Sequence, residues 1–300
     1  MSTMVKIKQD KKLIKKIGLR FLTEWLKEQK LSFGVPNEMF VLVPYEGESD
    51  IREQLFVIYQ AKQIGRGINF FMDESYNIEL TLNYPGTQGD IDLFYTLIQN
   101  ICKNFNFTSF FQDERIYSLN QIEKLKEDCM VYNQKMLMTS LDENLVVFGA
   151  IYPITIEKSF MKKIKNGTNK QVMQKFTTYL HEKQVKDCYY AKPMIYQKGE
   201  EDKLYAYYTL TEGVSTIFPL VPFLPKHFHL PENKEISEWN IRFLGIKDSH
   251  FYLIGRINFN NMNTIFHFKH CPKFDENHVI ITLEKKQIQR LEKMEHELLK

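Results

Sequence analysis

Apolar side chains recur along this chain with two periods, and the changes from one period to the other outline its elements. After Thr87, the residues Ile91, Phe94, Tyr95, Ile98, Cys102 and Phe105 follow at helical spacing, which gives one helix a continuous apolar stripe. Thr87 and Asp90 form the capping pair that opens it, because hydroxyl and carboxylate can satisfy the free N–H groups of a first turn. Ser118 with Gln121 and Thr168 with Gln171 repeat the signature. Ile122, Leu125, Cys129 and Tyr132 share a face behind the first pair, and Val172, Phe176 and Tyr179 behind the second. A polar helix is predicted from about Glu284 to Leu299, with Ile288, Leu291 and Leu298 as its seam. A fifth is predicted around Ile14, Ile17, Phe21 and Trp25.

Elsewhere the period is two. Ile78, Leu80, Leu82 and Tyr84 alternate with polar residues, which predicts a half-buried strand. The runs Asp187–Gln197 and Leu204–Leu210 flank the polar turn Lys198–Asp202 as a hairpin. A meander is predicted next. Trp239, Ile241 and Phe243 mark its first strand, Leu253, Ile257 and Phe259 its second, and Thr264, Phe266 and Phe268 its third. Asp248–Ser249 and Asn260–Asn263 supply the turns. Short connections of this kind predict an α+β fold of mixed helices and largely antiparallel sheets rather than a doubly wound parallel one. A boundary near Leu141–Asn144 would divide it into a mixed lobe, 1–143, and a mostly antiparallel lobe with a terminal helix, 144–300. One continuous domain is the alternative. Tyr84-Pro85-Gly86-Thr87 and Tyr152-Pro153-Ile154-Thr155 each read as a strand end leading to a helix, an echo too short to indicate duplication.

Composition narrows the function classes. The 300 residues are 43% hydrophobic and 26% charged, which is globular rather than disordered. Forty basic and 37 acidic residues leave a net charge of +3, too balanced for the one-signed field of a nucleic-acid binder. Lys6, Lys8, Lys11, Lys12, Lys15, Lys16 and Arg20 are read as a solvated helix face, and contact with anionic lipid or nucleic acid is the weaker reading. Cys102, Cys129, Cys188 and Cys271 are widely spaced, with neither a disulfide framework nor a CxxC, and fit a reducing compartment. Lysines interrupt the N-terminal apolar residues, so no signal peptide is expected. No apolar run approaches the roughly 20 residues of a membrane span. The expected location is the cytoplasm.

No phosphate loop, zinc helix, nucleophile elbow or EF-hand loop occurs, and no cofactor is expected. Two clusters are candidates for chemistry. Gly65-Arg66-Gly67 could bring backbone N–H groups and a guanidinium onto an anion. The plain alternative is a tight turn with Arg66 in solvent or paired with an acid. His227 and His229 would project from one face of an extended segment as metal ligands do. Pro219, Pro222, Pro225 and Pro231 argue instead for a surface loop. His267, His270 and Cys271 are read as part of an exposed sheet face. His181, His250, His278 and His296 show no pairing. Asp90 and Asp92 sit where carboxylates favour a helix N-terminus, and Asp113-Glu114-Arg115 reads as a hairpin turn.

Ile64-Gly65-Arg66-Gly67-Ile68, the strand Ile78–Tyr84, Pro85 with Thr87, Asp90-Ile91, Phe94-Tyr95, Leu97-Ile98 and Phe148-Gly149-Ala150-Ile151-Tyr152-Pro153 together resemble a full-length family of low-GC bacterial proteins known only as a domain of unknown function. The resemblance implies one full-length unit and carries no active residue. The expected function is therefore a non-catalytic binding or interaction protein with a protein partner, an immunity or accessory protein being one concrete version. The many Tyr and Phe residues motivate that reading. The alternative is an enzyme or ligand-binding protein using the Gly65–Gly67 turn for an anion or His227 and His229 for a metal.

Overall fold

The computed structural model describes residues 1–8, 18–140, 145–197, 203–225, 230–231 and 234–298. They pack as two compact units, Met1–Val185 and Lys186–Lys300. The segment 141–144, where a boundary was expected, lies outside the described residues.

The first unit contains β1 (Ser2–Ile7), α1 (Leu19–Glu28), β2 (Ser32–Pro36), β3 (Leu42–Val43), β4 (Phe56–Tyr59), β5 (Ile68–Met72) and β6 (Ile78–Asn83). Then come α2 (Gln88–Phe105), β7 (Ser109–Gln112), β8 (Arg115–Ser118), α3 (Ile122–Ser140), β9 (Val146–Phe148), β10 (Pro153–Thr155), α4 (Lys158–Ile164) and α5 (Asn169–Gln184). Eight strands make one sheet in the order β3-β2-β4-β5-β6-β1-β7-β8. Every neighbouring pair in it is antiparallel. The period-two pattern explains its single buried face: Ile78, Leu80 and Leu82 point inward on β6, and Ile68, Phe70 and Met72 on β5. The apolar stripes of α1 and α2 complete that core. All three capping pairs form, at Thr87, Ser118 and Thr168, although Ser118 opens a 3₁₀ turn that leads into α3. Asp113 and Glu114, both at positive φ, turn the β7–β8 hairpin.

The basic N-terminal residues are partly engaged. Lys6 pairs with Glu79 and Asp73, Lys8 lies over the Phe111 ring, and Arg20 pairs with Glu24. Lys11, Lys12, Ile14, Lys15, Lys16 and Ile17 lie outside the described residues.

The second unit contains β11 (Tyr189–Tyr190), β12 (Met194–Gln197), β13 (Leu204–Thr211), β14 (Ser215–Pro219), β15 (Ile236–Lys247), β16 (His250–Asn258), α6 (Met262–Phe266), β17 (His278–Thr282) and α7 (Lys285–Leu298). It holds a three-stranded sheet, β11-β14-β17, and a four-stranded sheet, β12-β13-β15-β16. The β12–β13 and β15–β16 pairs are antiparallel, as expected of strands joined by short connections, and the turn expected at Lys198–Asp202 lies outside the described residues. The β13–β15 pair is parallel. Between these strands the chain leaves to form β14 in the other sheet, which supplies the long crossover that parallel neighbours need. The inward faces of both sheets, with α6 and α7, enclose one core around Tyr208, Phe218, Ile241 and Phe243. The α+β architecture is as expected.

Two expectations fail. The third meander strand, Thr264–Phe268, is instead α6 followed by a 3₁₀ turn. Met262, Ile265 and Phe266, at helical spacing, enter the core and override the alternation of Thr264, Phe266 and Phe268. His267 consequently sits at positive φ between the two turns, not on a sheet face. Tyr152-Pro153 begins β10 rather than ending a strand.

Candidate functional site

The Gly65-Arg66-Gly67 turn lies between β4 and β5, and its N–H groups do hold an anion. That anion is the protein's own Asp90 carboxylate. Arg66 N–H donates to Oδ1 and Oδ2 at 3.1 and 3.0 Å, and Gly67 N–H donates to Oδ1 at 2.9 Å. Thr87 N–H and Oγ1–H each donate to Oδ2 at 2.8 Å. The close approach explains both glycines. A Cβ on Gly65 would stand 2.6 Å from Thr87 Oγ1, and Gly67 has φ +70°. Asp90 therefore caps α2 and fastens the preceding loop to it.

Arg66 is neither solvated nor paired with a nearby acid. Its side chain is 8% exposed, and burial pushes its pKa down to about 10 despite the nearby Asp90 charge. Nη1 donates to the carbonyls of Tyr84 and Pro85 at 2.8 and 3.3 Å, and Nε to that of Phe148 at 3.2 Å. The guanidinium thus ties a cis Tyr84–Pro85 turn to β9. Neighbouring side chains continue the pattern. Asn133 of α3 exchanges two hydrogen bonds with the Gly86 backbone. Gln184 of α5 bonds Ile151 and Tyr152, and His181 Nδ1 accepts from Ile64 N–H. Each polar group here serves the chain's own backbone, a network that fixes loops.

The outward face of the four-stranded sheet is different. On β13, Leu204, Ala206, Tyr208 and Leu210 point inward, while Tyr205, Tyr207, Thr209 and Thr211 remain half-buried on the open side. Tyr196 of β12 stacks on Tyr205 with centroids 5.6 Å apart and meets Tyr207 edge-on. The Arg242 guanidinium lies 3.6 Å above the Tyr207 ring. Across the β15–β16 pair, Arg242 stands directly opposite Arg256. Among the described residues neither arginine has an acidic partner. Glu238, on the same face, accepts from Asn258 at 3.3 Å. Towards the Asp248–Ser249 turn this face becomes apolar, with Phe251 67% and Leu253 59% exposed opposite Ile246 and Leu244.

A family model described as a domain of unknown function, DUF4299, matches residues 2–291. The chain belongs to that family. No curated protein and no solved structure matches it.

Other candidates in this DUF4299 chain are placed as follows. His227 and His229 lie outside the described residues. Among the described residues no His, Cys, Asp and Glu side chains group as a metal site, and His267, His270 and Cys271 form none. His278 corrects the expectation that it is unpaired. Its Nδ1 meets Asp275 Oδ1 at 2.8 Å, and its Nε2 meets Tyr190 Oη at 3.0 Å. All three are buried, and burial raises the Tyr190 phenol above its ordinary range. His250 Nδ1 also finds a partner, the Asp248 carbonyl. Sequence reasoning missed the Asp275–His278–Tyr190 line because Tyr190 and His278 are 88 residues apart.

Proposed function

We propose that this chain is a non-catalytic interaction protein of the bacterial cytoplasm that docks a partner protein on the open face of the β12-β13-β15-β16 sheet. One observation supports the reading: the described residues leave an aromatic and arginine-rich sheet face uncovered. Tyrosine and arginine anchor protein interfaces because they combine large contact area with directional polar groups. An exposed apolar margin beside them is uncommon on a monomer without such a role. The four free cysteines accord with a reducing compartment. The polar cluster around Asp90 supports the same reading from the other side, since its donors and acceptors are consumed by loop backbone.

The test is a photo-crosslinking amino acid placed at Phe251, with a control at Ile116, an exposed residue of the first unit. A discrete adduct from position 251 is expected in the native host. Excess wild-type protein should compete it away, and the Tyr205→Ser, Tyr207→Ser double variant should not. Equal adducts from both positions, or competition by the double variant, would sink the reading.

The Asp275–His278–Tyr190 line favours a second reading, a small-ligand or acid–base site in the second unit. A phosphate or nucleotide that raises the melting midpoint of wild type, but not of Tyr190→Phe, would establish it.

A further inference from the structure

Resting on the docking face just proposed, we infer that its partner presents an acidic polypeptide segment whose carboxylates sit on Arg242 and Arg256 and whose apolar side chains cover Phe251 and Leu253. Arg242 and Arg256 are direct cross-strand partners, and like charges so placed destabilise a sheet. No acid among the described residues compensates them: Arg242 has only the Tyr207 and Tyr196 rings, and Glu238 on the same face is engaged by Asn258. A carboxylate arriving from outside would relieve the repulsion and gain charge-assisted hydrogen bonds.

Positioning points the same way. Arg242 is held over the Tyr207 ring, so its fork is positioned before binding. Arg256 lies beside the exposed strand residues Phe251 and Leu253. The two guanidiniums therefore border an apolar margin, which suits a segment that mixes acidic and apolar side chains. A single nucleic-acid strand fits less well. Its bases need open ring faces for stacking, but Tyr207 is covered by Arg242, and Tyr196 and Tyr205 cover one another.

The experiment uses the full chain and a displayed library of random peptides, with a single-stranded DNA oligonucleotide as a second probe. Selected peptides should be enriched in Asp or Glu beside apolar residues. Arg256→Glu should weaken them by about tenfold or more. The same variant should raise the melting midpoint by about 1–2 °C, because it turns the like-charge pair into an opposite-charge pair. Weakened binding in a stabilised protein cannot come from damage to the fold. Arg256→Gln should weaken binding less. Peptides without acidic residues, undiminished binding by Arg256→Glu, no enriched peptide at all, or binding of the oligonucleotide alone would each overturn the inference. Phe251→Ser separates the two proposals. If it abolishes binding while Arg256→Glu does not, the face docks a partner but not through its arginines. If neither variant matters, both proposals fall.

Discussion

Asp90 and Arg256 are both charged, and the protein treats them in opposite ways. Asp90 is buried at the start of α2 and accepts from Arg66 N–H, Gly67 N–H, Thr87 N–H and the Thr87 hydroxyl. Arg256 is exposed on a sheet edge opposite another arginine and has no acidic partner among the described residues. A buried charge survives only where neighbouring dipoles replace water, so Asp90's donors were assembled along with the fold. An exposed charge beside its like has no such requirement and brings a small penalty. The difference separates polar groups that make the structure from polar groups the structure leaves available. A conspicuous motif can belong to the first kind, as Gly65-Arg66-Gly67 does.

The largest effect should come from removing the Asp90 carboxylate. Asp90→Ala strands three buried backbone N–H groups, those of Arg66, Gly67 and Thr87. A loss of about 3–5 kcal/mol is expected, as when one partner of a buried charged network is removed. Trp25 lies in the first unit's core and Trp239 in the second unit, so a Trp239→Phe background makes tryptophan fluorescence a reporter on the first unit alone. In urea, the Trp25 transition of Asp90→Ala should move to much lower denaturant. An unmoved transition would mean that water replaces the carboxylate, and that the contrast with Arg256 is false.

Alkaline pH tests the interior more gently. Burial pushes the Cys102 thiol up to about 12 and raises the Tyr84 and Tyr95 phenols above 10. Between the unfolded and folded pKa values the native state keeps protons that the unfolded state has lost, so stability must fall as pH rises. For Cys102 that window opens near 9, for the tyrosines near 10. Arg66 acts in the opposite sense. Its folded pKa of about 10 lies below the unfolded value of 12.5, so its contribution grows with pH above 10. The Cys129 thiol, also raised by burial, acts with Cys102 and the two tyrosines, so four groups outweigh one, and the first unit should lose on the order of 3 kcal/mol between pH 8 and 10.5. Urea titrations at the two pH values measure this, and Cys102→Ala should remove roughly half of the slope while lowering stability overall. A flat profile would contradict the burial of these groups.

Sequence made the interior easier to read than the face. Thr87 with Asp90, and Thr168 with Gln171, announce their helices because a cap is a local bargain between residues three apart. The β15–β16 hairpin was equally visible from alternating Trp239, Ile241 and Phe243 and the polar Asp248–Ser249 turn. The role of Asp90 as acceptor for the Gly65–Gly67 turn was not, since it joins segments more than twenty residues apart. The arginine pair was hidden by one residue. Counting back from the Lys247–His250 end of the hairpin pairs Arg242 with Gly255. A bulge at Ile254 shifts the register beyond Leu244 and brings Arg256 opposite instead. Bulges have no reliable local signature, so the juxtaposition that matters most to the proposed function appears only in three dimensions.

The smallest expected effect lies at the tip of that same hairpin. Asp248 and Ser249 both take positive φ, at 48° and 62°, in the two-residue turn that joins β15 to β16. Right-handed strand twist favours this geometry, and glycine adopts it without the steric penalty that serine's Cβ incurs. Ser249→Gly should therefore stabilise the second unit slightly. The gain should be about 0.5 kcal/mol, because glycine's greater freedom in the unfolded chain offsets part of the relief. The Trp239 transition in a Trp25→Phe background measures it. The variant also sharpens the contrast between interior and face. Asp90 works only if its loops are rigid, whereas Phe251 and Leu253 need only be presented by a well-formed tip. If the face docks a partner, Ser249→Gly should leave affinity unchanged or raise it less than about threefold, in line with the added order. A clear loss of affinity would mean that the serine or a mobile tip takes part in docking, and that the face is less preformed than its tyrosine and arginine packing indicates.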